Sequence, residues 1–145
     1  MFEIQNRRYT GNKHKLMDWI SKLIDENCPN CKSFFDVFAG TGCVSEYLFE
    51  KYDRFILNDF LYSNNIIYNA FFLNEAYDFD KLINYKSYFN EINVKKIKDN
   101  YVSDNYGNKF FNYNDAKKIG YIREKIEKEL KSKNINFKEY SILVT

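Results

Sequence analysis

Proline is almost missing from this chain: one residue in 145, Pro29. No Pro-Pro pair can therefore exist in these residues, and with no Pro-, Gly- or Ser-rich tract, repeat or low-complexity segment the chain reads as one continuous globular piece. Thiols and imidazoles are equally scarce, with three cysteines and one histidine. Cys28-Pro29-Asn30-Cys31 is a lone CxxC. A structural zinc site needs four ligands, and Cys43 and His14, the only further candidates, match no common finger or ribbon spacing, so no metal is expected. A redox pair would follow a strand at a helix start, whereas this one follows a helix and precedes a strand; it reads as a turn carrying reduced thiols. No apolar run is long enough to cross a bilayer and no secretory or lipidation signal is present, which points to a cytoplasmic location. The net charge of +2 is too mild to indicate a nucleic-acid partner by itself. Aromatics reach 19% alongside abundant Asn, Ile and Lys, a bias that an A/T-rich genome explains, so most rings are expected in the core.

What is present concentrates in one place. Phe34-Phe35-Asp36-Val37-Phe38 is a short β-favouring apolar run, which suits a strand buried on both faces. Ala39-Gly40-Thr41-Gly42 follows, where the glycines allow a sharp turn and a close approach to the backbone. A helix over 43–51 is predicted next, with Val44, Tyr47 and Leu48 facing the core and its first amides pointing at whatever sits over the glycines. A second strand, Phe55-Ile56-Leu57, then delivers Asn58 and Asp59. That order, with about twenty residues between the loop and the second acid, is how a doubly wound α/β sheet grips a nucleoside-bearing cofactor. The loop is GxG and not GxGxxG, which favours a cofactor without a pyrophosphate over a dinucleotide. A sheet that binds nothing can carry the same pattern.

Upstream stands Arg7-Arg8-Tyr9-Thr10-Gly11-Asn12-Lys13-His14-Lys15-Leu16, ahead of an amphipathic helix with the apolar stripe Leu16, Trp19, Ile20, Leu23 and Ile24. Together with the FAGTG loop and Asn58-Asp59, this resembles the N-terminal part of the Dam/DpnII-type (D12) class of DNA adenine-N6 methyltransferases, whose opening motif, aromatic-x-G-x-K, is matched by Tyr9, Gly11 and Lys13. Asn105-Tyr106-Gly107 and the basic helix after it extend the similarity, more weakly, across nearly the whole chain. The resemblance implies a Rossmann-like S-adenosylmethionine-dependent methyltransferase fold, incomplete here, as a single partial domain over 1–145 with residues of about 80–135 as a helical insert. It implies S-adenosyl-L-methionine as cofactor, with Tyr9 and Lys13 at its methionine end, the backbone of Phe38, Ala39, Gly40, Thr41 and Gly42 cradling it, Asp59 on the ribose, and Asp36 on the amino group or orienting the loop. Taken alone, Lys13 also reads as a solvated helix-start lysine and Tyr9 as a core aromatic. Arg7, Arg8 and Lys15 gather at the entrance and are candidates for duplex DNA phosphates; Lys95, Lys96 and Lys98 and the later Lys117, Lys118, Arg123 and Lys125 read as solvated helix faces.

The family transfers its methyl group through a D/N-P-P-Y/F/W motif, whose acid or amide and first proline carbonyl accept from the adenine amine while the aromatic stacks on the flipped base. With a single proline this chain cannot hold that motif. Its apolar finish, Tyr140-Ser141-Ile142-Leu143-Val144-Thr145, suggests a continuation, so the expectation is the cofactor-binding N-terminal portion of a restriction-modification enzyme, inactive alone, and either truncated, split between two polypeptides or a degenerate gene product. Two alternatives stand beside it: a non-catalytic module binding S-adenosylmethionine or a nucleotide, and a methyltransferase acting on RNA or a small molecule. Helices are also predicted over 62–73, over 80–98, and over 115–131 with Ile119, Ile122, Ile126 and Leu130 buried.

Overall fold

The computed structural model describes residues 13–145, arranged as two compact units that meet in sequence at Phe71 and Phe72. The first unit is α/β. A 3-10 turn at His14–Leu16 leads into α1 (Met17–Asn27), followed by β1 (Ser33–Asp36), α2 (Cys43–Leu48) with a 3-10 extension at Phe49–Lys51, β2 (Arg54–Leu57) and α3 (Tyr62–Phe72). The two strands pair in parallel, with Phe34 opposite Phe55 and Phe35 opposite Ile56. A parallel pair requires a crossover between its strands, and α2 supplies it.

The core of this unit is Met17, Cys43, Val44 and Leu48, with Ile20, Ile24, Phe34, Tyr52 and Phe55 packed against it. Leu48 is fully buried, a contribution of roughly 2 kcal/mol from its side chain alone. The ring of Phe34 lies 5.0 Å from that of Phe55 and 5.4 Å from that of Tyr52. This corrects the expected strand burial. The Phe34/Phe55 face meets the helical core; on the other face Phe35 is 54% exposed and Ile56 38%, because side chains alternate along a strand and this side is less covered among the described residues. The stripe of α1 is rotated as well: Met17, Ile20, Ser21 and Ile24 turn inward, while Leu16, Trp19 and Leu23 stand exposed. On α2, Val44 and Leu48 are buried as expected, but Tyr47 faces out and its hydroxyl donates to Asp18 at 2.8 Å.

The second unit is helical, with α4 (Phe79–Glu91), α5 (Tyr101–Tyr106), α6 (Tyr113–Lys131) and α7 (Phe137–Val144). Side-chain caps mark the helix starts. Asp78 accepts from the Lys81 amide, Asn112 from the Asn114 amide, and Asn100 and Asn136 each close a capping box, with Ser103 and Glu139 respectively. The helix expected over 80–98 stops at Glu91, because Asn93 accepts from the Lys95 amide and opens a separate 3-10 turn. The buried side of α6 is Ala116, Gly120, Ile126 and Glu129; Ile119 faces out, against expectation. The shift follows from Gly120, where a Cβ would stand 1.9 Å from Asn100 Oδ1. The apolar finish of the chain is the body of α7.

Charge is built into this second core. The carboxylate of Glu139, 2% exposed, accepts from the amides of Asp78 and Asn136 and pairs with Lys81 at 2.7 Å. Burial alone would raise its pKa, yet the Lys81 ammonium and the two amides outweigh burial and hold it below the usual carboxylate range. Glu129 is lowered to about 2, first by its hydrogen bond from Lys125 and then by that from Asn134. No helix is long and apolar enough to cross a membrane, and no group of three or more His, Cys, Asp or Glu gathers among the described residues.

Candidate cofactor site

The strand ends of the first unit converge on the glycine loop. Beyond β1 the chain runs through Val37 and Phe38 into Ala39–Gly42, which is buried throughout, and then directly into α2. Gly40 and Gly42 have φ of 56° and 81°. A side chain there would be strained, which explains both glycines in conformational terms. The Gly42 amide donates to the Ala39 carbonyl at 2.8 Å and closes the turn.

Asn58 continues the β pairing one step past the strands. Its amide donates to Asp36 O and its carbonyl accepts from the Ala39 amide, both at 2.9 Å, while its side-chain nitrogen donates to Val37 O at 2.8 Å. Its backbone and side chain thus lock the exit of β1 into the loop.

Asp59 fastens the loop from below. Oδ2 accepts from the Gly40 amide at 2.9 Å, and Oδ1 accepts from the Leu61 amide at 2.9 Å and from Asn64 Nδ2 at 2.8 Å. Tyr68 donates its hydroxyl to the Gly40 carbonyl at 2.6 Å. Asp36 accepts from the hydroxyl of Ser45, on α2, at 2.8 Å. Burial raises the Asp36 pKa and the Asp59 charge pushes the same way, while the Ser45 hydroxyl and the Lys13 ammonium oppose it. Lys13 therefore acts on Asp36, the acid at the end of β1. Phe38 and Phe60, the residues just before the loop and just after Asp59, hold their rings in solvent at 79% and 97% exposure.

Of the residues singled out from sequence, Lys13, Asp36, Phe38, Ala39, Gly40, Thr41, Gly42, Asn58 and Asp59 belong to this one region. Lys15 lies in the 3-10 turn ahead of α1 and is exposed. Arg7, Arg8, Tyr9 and Gly11 lie outside the described residues. Sequence reasoning missed Ser45, Asn64 and Tyr68 as parts of the constellation. Asn64 and Tyr68 left a signal: polar groups four residues apart on a helix share a face, and here that face is the buried one. Cys28 and Cys31 are exposed at the turn before β1, away from this loop in sequence, and slight desolvation together with the adjacent Cys28 thiol raises the Cys31 pKa.

A βα unit with a buried, acid-clamped glycine loop is the form in which nucleoside cofactors are commonly met. The chain belongs to the D12 class of N6 adenine-specific DNA methyltransferases, whose family model matches residues 9–145. Among individual proteins it is similar to modification methylase LlaI of Lactococcus lactis subsp. lactis, with 31% identity over 147 residues. That alignment takes in 94% of this chain and 24% of the methylase, so the chain spans about a quarter of that relative's length. No solved structure matches it.

Proposed function

We propose that these residues form the S-adenosyl-L-methionine-binding portion of a site-specific DNA adenine-N6 methyltransferase of a restriction-modification system, on a partial Rossmann-like framework with residues of about 80–135 as a helical insert. The observation that carries the reading is the Gly40 amide held by Asp59 inside a loop with two left-handed glycines. Such a loop brings backbone close to a ligand, and a carboxylate fixed beside it can accept from ribose hydroxyls. Asp59 would take the ribose. The backbone of residues 38–42 would line the nucleoside, and Lys13, with Tyr9 and Gly11 of the opening motif, would meet the methionine carboxylate. The exposed ring of Phe38 offers an apolar face at the same mouth.

The cofactor supplies an electrophilic methyl group on a sulfonium. The task of this chain would then be to hold it in place and to keep opposing charge near the amino acid end, through Lys13 and Asp36. The acceptor side is a separate matter. Without a Pro-Pro pair, these residues do not carry the motif that would take the adenine amine, so methyl transfer needs residues supplied from elsewhere. Duplex DNA is the substrate on this reading, with Arg7, Arg8 and Lys15 toward its phosphates. The residues from Phe72 onward hold fourteen Lys and Arg against eleven Asp and Glu, a modest excess in the same direction.

Calorimetric titration of the 145-residue chain with S-adenosyl-L-homocysteine tests the reading. Micromolar binding is expected, together with a loss of at least about tenfold on Asp59→Ala. Methyl transfer to duplex DNA should be negligible until a polypeptide carrying D/N-P-P-Y/F/W is added. Absence of binding to the parent chain defeats the cofactor assignment, and methylation of RNA or cytosine by the reconstituted pair defeats the adenine assignment.

A further inference from the structure

The glycine loop is fixed from two directions by groups that belong to α3 or depend on it. Gly40 is the focal residue: its amide donates to Asp59 and its carbonyl accepts from Tyr68. Asp59 is itself secured by Asn64 Nδ2. Asn64 and Tyr68 stand one helical turn apart on α3, and both are almost fully buried, at 3% and 5% exposure. Burying an amide and a phenol is costly unless each finds a partner, and these two find theirs in the acid and in the loop.

We infer that Asn64 and Tyr68 are positioning residues that set cofactor affinity by presenting the Gly40 peptide and the Asp59 carboxylate in one fixed arrangement; the inference rests on the cofactor reading above. The N–H and C=O of Gly40 belong to the two peptide units that flank its Cα, so with one held by Asp59 and the other by Tyr68 neither unit can rotate without breaking a hydrogen bond. A left-handed glycine would otherwise sample several conformations, and each would present a different surface to the ligand. Ordering the loop in advance removes that entropy loss from the binding step. The Asn64 amide does the same for Asp59, because a carboxylate held by neutral donors keeps its charge and its direction while it accepts from another hydroxyl. Tyr47, also a tyrosine of this unit, makes its hydrogen bond on an exposed surface with Asp18 and takes no part in this arrangement.

The test compares Tyr68→Phe, Asn64→Ala and the control Tyr47→Phe in the full 145-residue chain, titrated with S-adenosyl-L-homocysteine. Tyr68→Phe and Asn64→Ala should each weaken binding by about tenfold, the scale of one lost buried hydrogen bond, with Tyr47→Phe at parent affinity. Hydrogen exchange at the Gly40 amide should quicken in the first two variants, while amides of α6 keep their protection. If the parent binds and both variants bind as tightly, the positioning role is overturned and the cofactor reading survives. If the parent does not bind at all, the cofactor reading falls and this inference falls with it. Weaker binding accompanied by a general loss of circular dichroism and of α6 protection also overturns it, in favour of a purely structural role.

Discussion

The two units solve the problem of buried polarity in opposite ways. In the first, the polar contacts are spent on a loop: Asp59 and Tyr68 hold Gly40, Asn64 secures Asp59, and the apolar core beside them is small, with Phe35 and Ile56 partly exposed on the other face of the sheet. In the second, the polar contacts are spent on the helices themselves, through four side-chain caps and two carboxylates sunk among them. The lesson is that similar chemistry, an acid accepting from backbone amides, fixes a glycine loop in one region and the starts of helices in the other. Glu139 and Asp59 are the matched pair: each acid receives two backbone amides and one side-chain nitrogen.

The sharpest way to break the comparison is Glu139→Ala. Removing one partner of a buried ion pair leaves Lys81 and two amides without their acceptor, and the expected cost is about 3 kcal/mol. Hydrogen exchange should report it in α4 and α7 and leave α1 and α2 protected; equal loss in both units would mean that they do not unfold separately. Leu48→Ala is the reciprocal experiment. With its side chain fully buried, about 3 kcal/mol should be lost from the first unit by urea denaturation, through the cavity left among Met17, Val44 and Phe34.

Acid should separate the units by sign. Glu129 and Glu139 have folded-state pKa values below their ordinary ones, so the stability they contribute is present above the unfolded value of 4.5 and is lost as pH falls toward the folded value of about 2 at Glu129. Asp36 runs the other way. Its folded-state value is raised, so its contribution is fully present below the unfolded value and is lost as pH rises through the folded one. Hydrogen exchange followed during acidification should therefore show the second unit loosening first; a first unit that loosens ahead of it would contradict the assignment. The smallest effect belongs to the surface. Lys22 and Glu26 on α1 are 3.8 Å apart and exposed, and Lys22→Ala should change stability by no more than about 0.5 kcal/mol in thermal denaturation.

Legibility in the sequence followed the range of the interaction. The glycine loop and Asp59 were readable because a positive φ demands glycine and because strand, loop and acid fall in order along the chain. The start of α7 carries a local signal as well: Asn136 followed three residues later by Glu139 is the pattern of a capping box. What was hidden are the pairings between distant residues. Gly40 with Tyr68, Asp78 with Glu139 and Asn100 with the Lys117 carbonyl are 28, 61 and 17 residues apart, and no local pattern announces them. The α1 face was misjudged for a related reason. Leu16, Trp19 and Leu23 outweigh Met17 and Ser21 in hydrophobicity, but the tally of apolar residues does not say which side has something to pack against.

The close approach of Asn100 to Gly120 has a consequence for inheritance. One side chain caps α5 through Val102 and Ser103, donates to the Lys117 carbonyl of α6, and occupies the space where a Cβ at position 120 would stand. The two positions are therefore not free to drift independently. A lineage that replaces Gly120 gains helix propensity of about 1 kcal/mol and forfeits a cap worth about as much, so the exchange is close to neutral only when residue 100 changes with it. Relatives of this chain should divide into those that keep both residues and those that have lost both.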